Sequence, residues 1–297
     1  MPTDHTTTPG ATSGASALAH PAPRFAERWS TLARERSSLC LGVAPSRTWL
    51  SAWGLGDDLA GAADYCERIL AVAEDLAGVK VQVPFFARFG EPGLDLLRHF
   101  TDRCHAHGSL VLLDAKIGDA DDTMDAYADL YLGPDSRLGG DALTANAFMG
   151  FQSLQPLFTR AQAVGAAVFV MVRTSNHAAE EFQRARAADG RTVAEWLADA
   201  VTKWNQTEAP DEVVGPLGAV VGARLPESAA LVDRLGRSVL EIPGLGRSDR
   251  RTDEVLAPVR GLQERALLTV TTGILRYGPA PAGLREALAN WRHLVQE

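Results

Sequence analysis

The stretch Leu110-Val111-Leu112-Leu113-Asp114-Ala115-Lys116-Ile117-Gly118-Asp119 runs four apolar residues without alternation into a charged cluster and a glycine. A strand of that kind is buried on both faces, as in a parallel sheet covered by helices. The segment after it, Asp121–Tyr131, reads as a helix. The segment before it, Leu94–His107, repeats Leu94, Leu97, Phe100 and Cys104 at helical spacing, with Gly108 where a C-terminal cap would sit. The same alternation extends outward in both directions. Apolar strand runs fall at Leu39–Val43, Val79–Val83, Leu110–Leu113, Ala142–Ala145, Ala167–Val172, Leu217–Val221, Val239–Ile242 and Leu267–Thr271. Helical segments fall at Leu59–Ala77, Phe151–Ala163, Val193–Asn205, Ser228–Leu235, Arg251–Val259 and Ala282–Val295. Eight strand–helix units predict an α/β protein with a (β/α)8 TIM barrel. The other candidate, an open doubly wound sheet, wants a glycine-rich turn after its first strand, where Gly42-Val43-Ala44-Pro45 stands.

Composition narrows the function classes. The 297 residues are 46% hydrophobic and 22% charged, enough for a sizeable core, and 29 Lys+Arg against 37 Asp+Glu give a formal charge of −8. No stretch concentrates cations enough to neutralise a row of phosphates, so nucleic acid is not an expected partner. No apolar run approaches the roughly 20 residues of a membrane span. Cys40, Cys66 and Cys104 are odd in number and widely separated, which fits packing thiols in a reducing cytoplasm. Residues 1–23 are rich in Thr, Ser, Ala, Gly, Pro and His, without the basic start and apolar centre of a signal peptide, and read as a disordered tail. Residues 24–297 read as one barrel domain.

In such a barrel the chemistry sits at the C-terminal ends of the strands. Asp114 and Lys116 are two apart, so an extended chain points both to one face. Lys80 lies inside the apolar strand Val79–Val83 and needs a carboxylate partner, for which Asp114 on the neighbouring strand is available. Together with Asp119 these residues form a candidate catalytic array, or else a buried structural ion-pair network. Asn146 follows the fourth strand, and Arg173, Thr174, Ser175 and Asn176 follow the fifth, where they could read a ring amide or a sugar, or cap a helix. Pro243, Gly244 and Gly246 after the seventh strand, and Thr272 and Gly273 after the eighth, could cradle a phosphate or simply form tight turns. Cys104-His105-Ala106-His107 ends a helix and is not expected to bind metal. The connection Thr174–Pro216 is a candidate lid or a passive insertion.

The cluster Asp114-Ala115-Lys116-x-x-Asp119, with Lys80 one strand earlier, resembles the orotidine 5'-monophosphate decarboxylase family. The resemblance spans nearly the whole chain after the tail. It includes Leu39-Cys40-Leu41-Gly42, Lys80-Val81-Gln82 followed by Phe85-Phe86, Phe169-Val170-Met171-Val172-Arg173-Thr174-Ser175-Asn176, Val220-Val221-Gly222-Ala223 and Pro243-Gly244-Leu245-Gly246. The long Arg-Thr-Ser-Asn form points to the bacterial branch with the longer chain. The resemblance implies a cofactor-free decarboxylase without a metal. It implies a homodimer with shared sites in which Asp119 reaches into the partner's site, Thr123 touches the ribose and Ser175 the pyrimidine.

The departures lie at one end of that site. Where the family's first strand ends in Gly-x-Asp-Pro, with an aspartate for the ribose, this chain has Ala44. The seventh-strand Gly-Ala-Gln-Gly reads Gly246-Arg247-Ser248-Asp249, and Thr272 replaces the arginine of the eighth-strand Ser-Arg-Gly. Arg247 could supply a replacement cation. These changes lead to the expectation of an orotidylate-like substrate altered at its ribose or phosphate end, as in specialised nucleoside metabolism. The alternatives are a housekeeping enzyme with a rebuilt phosphate grip, and a barrel that reuses the array for other acid–base chemistry or for binding.

Overall fold

A computed structural model of the chain describes residues 23–222, 225–246, 253 and 256–296. Eight parallel strands, β1 (Leu39–Val43), β2 (Gly78–Gln82), β3 (Leu110–Ile117), β4 (Ala142–Ala145), β5 (Ala167–Arg173), β6 (Leu217–Val221), β7 (Leu240–Leu245) and β8 (Ala266–Val270), pair in sequence order. β8 pairs back onto β1, with Cys40 opposite Thr269, so the sheet closes into a (β/α)8 barrel and the open-sheet alternative is excluded.

The period of two along each strand sorts the side chains into two cores. Leu41, Val43, Val79, Val81, Val111, Leu113, Val168, Val170, Leu240 and Ile242 face outward and meet the surrounding helices. Cys40, Leu110, Leu112, Ala142, Phe169, Val220 and Leu267 face the barrel axis. By the same parity Lys80, Gln82, Asp114, Thr144, Glu241 and Thr269 also point inward, which places polar groups above the apolar interior floor.

Under that floor lies helix α1 (Phe25–Glu35), outside the helices expected from the sequence. Its fully buried Phe25 and Trp29, four residues apart, plug the N-terminal mouth, and the Phe25 ring meets Phe169 edge-on at 5.8 Å. The other helices with described bounds are α2 (Arg47–Ala52), α3 (Leu59–Leu70), α4 (Pro84–Ala87), α5 (Glu91–Ala106), α6 (Asp121–Tyr131), α7 (Gln155–Val164), α8 (Glu180–Gln183), α9 (Val193–Glu208), α10 (Ser228–Arg234) and the closing segments Thr272–Leu275 and Pro281–Gln296.

Differences from the sequence expectation have local causes. The helix expected over Leu59–Ala77 ends at Leu70, and only a short turn, Ala73–Asp75, precedes the run into β2. The helix expected from Phe151 begins at Gln155, because Pro156, which lacks an N–H, fits the first turn of a helix. β3 continues four residues past its apolar run through a shift in register against β4 between Leu113 and Ile117. Much of Arg251–Val259 and nearly all of the 1–23 tail lie outside the described residues, as does Ala223.

Candidate active site

The inward-facing polar groups converge at the C-terminal end of the barrel. Asp114, 1% exposed, is the hub. Its Oδ1 lies 2.6 Å from Lys116 Nζ and accepts from Thr144 Oγ1 at 2.7 Å. Its Oδ2 accepts from Gln82 Nε2 at 2.7 Å and lies 3.3 Å from Lys80 Nζ. Register explains the meeting, since Gln82 stands opposite Asp114 across β2 and β3 and Lys80 is one inward step below.

Burial alone would raise the Asp114 pKa. Lys80 and Lys116 more than offset it, aided by hydrogen bonds from Lys116 and Thr144, and hold the carboxyl below the ordinary carboxylate range. Lys80 is 6% exposed. Burial disfavours its charge, but Glu241 and Asp114 outweigh burial and hold its ammonium above the usual lysine range. Lys116 differs from Lys80 in position: it is exposed at the mouth of the barrel, with its stem at the irregular end of β3. Its φ of +49° is a left-handed conformation that costs a non-glycine residue on the order of 1 kcal/mol or more. The bond from its own N–H to Thr144 Oγ1 (2.9 Å) and that from Asn146 Nδ2 to its carbonyl (2.6 Å) hold it there.

Two adjoining cavities open onto this array. One, of about 500 Å³, is lined by Lys80, Gln82, Asp114, Lys116, Asn146 and the Thr174–Asn176 rim. The other, of about 430 Å³, is walled by Ala44, Ser175, Pro243, Gly244, Thr271 and Thr272 and also reaches Lys80. Ser175 and Pro243 belong to both. A larger hollow of about 1030 Å³ beside α1, lined by Arg24, Ser30, Arg34, Glu212 and Glu264, lies among residues preceding the strands and holds none of the array.

Other expected site residues are placed differently. Arg173 is buried and lines neither cavity itself, with Nε on Glu227 at 2.8 Å and Nη1 on the Thr174 carbonyl and Gln183, two residues of the 500 Å³ cavity wall that it braces from behind. Thr174 Oγ1 bonds Asn176 Oδ1 at 2.6 Å, so these two brace the rim beside Ser175. Asp119 caps its own turn through the Ala120 N–H and lines neither cavity, and among the described residues it pairs with no cation. Thr123 is exposed on the first turn of α6 and lines neither cavity. Gly246, at φ +73°, packs against Gly273, where a Cβ on Gly246 would come within 2.8 Å of the Gly273 Cα. Those two glycines therefore serve close contact between the seventh and eighth rim loops. Arg247 lies outside the described residues. The His105 imidazole meets Asp141 Oδ2 at 2.7 Å on the far side of the barrel, and among the described residues no metal-binding group of His, Cys, Asp and Glu occurs.

Sequence reasoning passed over Gln82, Thr144, Glu241 and Thr269. Glu241 carried the same signal as Lys80, a charge inside the apolar run Val239–Ile242.

A family model described as orotidine 5'-phosphate decarboxylase / HUMPS family matches residues 39–250, the span from β1 past β7. The chain belongs to that family. Among curated relatives, an orotidine 5'-phosphate decarboxylase of Myxococcus xanthus is 42% identical over 274 residues, covering 91% of this chain and 94% of the relative. That of Streptomyces coelicolor is 37% identical over 265 residues, covering 89% and 94%. A crystal structure from Streptomyces avermitilis, provisionally assigned to the same enzyme, superposes with a TM-score of 0.87 at 33% identity, over 95% of this chain and 98% of that one. The chain thus shares that fold, and its own Lys80, Asp114 and Lys116 converge at the C-terminal end of the barrel. Among the described residues no helix is long and apolar enough to cross a membrane.

Proposed function

We propose that the chain is a carboxy-lyase that releases CO2 from the pyrimidine of orotidine 5'-phosphate, without a cofactor. The observation that carries the reading is the Lys80–Asp114–Lys116 array opening onto paired cavities large enough for a ring and a sugar phosphate. Four hydrogen-bonding or charged neighbours hold Asp114 ionised, so it cannot relieve repulsion by taking a proton. A substrate carboxylate seated beside it is repelled, and the repulsion vanishes as the carbon–carbon bond breaks and neutral CO2 leaves. The bonding pair remains on the ring carbon, where the Lys116 ammonium stabilises it and then donates a proton. Lys116 is suited to that step because it is exposed at the mouth of the barrel and recovers a proton from solvent. Identity of 42% across 91% of the chain to a curated orotidine 5'-phosphate decarboxylase supports this substrate.

A second reading, a substrate changed at the ribose or phosphate end, is favoured by one observation. The wall of the 430 Å³ cavity presents Ala44, Thr271 and Thr272, and Lys80 is its one cation among the described residues. The assay that separates the readings follows loss of the 6-carboxylate from orotidine 5'-phosphate and from orotidine, with Lys116→Ala and Arg247→Ala alongside. Turnover of the nucleotide that Lys116→Ala abolishes and Arg247→Ala weakens supports the first. Turnover of the nucleoside alone supports the second, and turnover of neither overturns the first. The proposal includes a homodimer with shared sites. Phe148, Met149 and Phe182 expose apolar surface, with Phe148 and Phe182 in ring contact, and the test is molar mass in solution by light scattering.

A further inference from the structure

Glu241 is fully buried, yet it lies inside the barrel next to the charged array rather than at its rim. Its Oε2 stands 3.0 Å from Lys80 Nζ, closer than the 3.3 Å that separates Lys80 from Asp114. Its Oε1 accepts from Thr269 Oγ1 at 2.6 Å, which fixes the carboxylate against β8. Among the described residues Oε2 has Lys80 as its one close partner. We propose that Glu241 is a positioning residue for decarboxylation: it anchors the Lys80 ammonium toward β7 and so keeps Asp114, already paired with Lys116, from being neutralised further by a second close ammonium.

The inference rests on the decarboxylase reading for its kinetic part only. An ammonium between two carboxylates divides its attraction, and removing one lets it close on the other. Without the Glu241 charge, Lys80 moves fully onto Asp114 Oδ2, and the repulsion that Asp114 exerts on a substrate carboxylate falls. The groups facing Lys80 are Asp114 and Lys116 of β3, Gln82 of its own strand, Thr144 of β4, Glu241 of β7, Thr269 of β8 and the Cys40 thiol of β1. Burial first, and Glu241 second, push the Cys40 thiol up to about 12, so it stays neutral and does not take the place of Glu241. β5 and β6 contribute only apolar Met171 and Val220 to the neighbouring cavity wall.

The chain has three lysines, Lys80, Lys116 and Lys203, so protein labelled with 13C at lysine Cε gives three signals, assigned with Lys116→Arg and Lys203→Arg. These signals are followed against pH without substrate, in the native chain and in Glu241→Gln. The Lys80 signal is expected to begin titrating at a lower pH in the variant than in the native chain. With substrate, kcat is expected to fall at least about tenfold while KM stays within about threefold. Glu241→Asp, which keeps the charge, is expected to restore both in part, and it serves alone if Glu241→Gln does not fold. An unchanged Lys80 titration overturns the anchoring, and a shifted titration with unchanged kcat overturns the role in the reaction. If the native chain decarboxylates neither compound, it is the proposed function that fails, and the substrate-free titration still decides whether Glu241 anchors Lys80.

Discussion

The Thr144 hydroxyl donates to Asp114 Oδ1 at 2.7 Å while accepting the Lys116 N–H at 2.9 Å, so one side chain of β4 orients both members of the Asp114–Lys116 pair. Thr144→Val keeps the shape and removes both bonds. The Asp114 carboxyl then rises toward its ordinary value. The acid limb of the kcat/KM profile moves to higher pH, and kcat falls about tenfold or more. A pH–rate profile of the variant beside the native chain checks this.

In the mechanism we propose, Asp114→Asn removes the repulsion that drives CO2 loss. We expect kcat to fall by about 10²–10³-fold or more while substrate binds as tightly or more tightly, because the uncharged amide no longer repels the carboxylate. Steady-state kinetics with calorimetric binding separate the two effects, and a raised KM would speak against ground-state repulsion.

Gly246→Ala forces a side chain into a left-handed residue and against the Gly273 Cα. The strain is about 1–3 kcal/mol, and the two rim loops must part. Thermal unfolding should come several degrees earlier, with KM rising more than kcat falls. Unchanged KM would separate this contact from substrate binding.

Away from the site, burial would raise the Asp141 pKa, but His105, Arg28 and the Val111 N–H hold the carboxyl below the usual range. A depressed carboxyl contributes stability above its unfolded pKa and loses it as pH falls through the folded one. His105→Leu raises the folded value and narrows its gap from the unfolded one, so the variant has less of this stability to lose and has lost it by a higher pH. The melting temperature, followed from about pH 7 down to about pH 3, should therefore start lower in the variant and fall by less than in the native chain.

Much of the architecture was legible because it depends on local pattern. Leu39–Val43, Ala142–Ala145, Leu217–Val221 and the helix Asp121–Tyr131 fall where their hydrophobic runs and spacing place them. Lys80 and Asp114 were legible too, because a charge in a doubly buried strand demands a partner. Arg173 was read as a rim ligand or a helix cap, and it instead bonds Glu227 and braces Thr174 and Gln183 without lining either cavity. Which way a long side chain swings depends on a carboxylate 54 residues further along the chain, and no local pattern records that.

The sequence by itself determined the strands, the alternation that leads to a barrel and the charged residues Lys80, Asp114 and Lys116 at the strand ends, since all of these follow from period and composition within short windows, while the resemblance to a family implied the decarboxylation. Only the tertiary structure decided that β8 closes on β1, that Phe25 and Trp29 seal the floor, and that Glu241 and Thr144 join the array. Those contacts are set by register between strands far apart in the chain, and a charge is paired by whatever the closed barrel brings within about 3 Å of it.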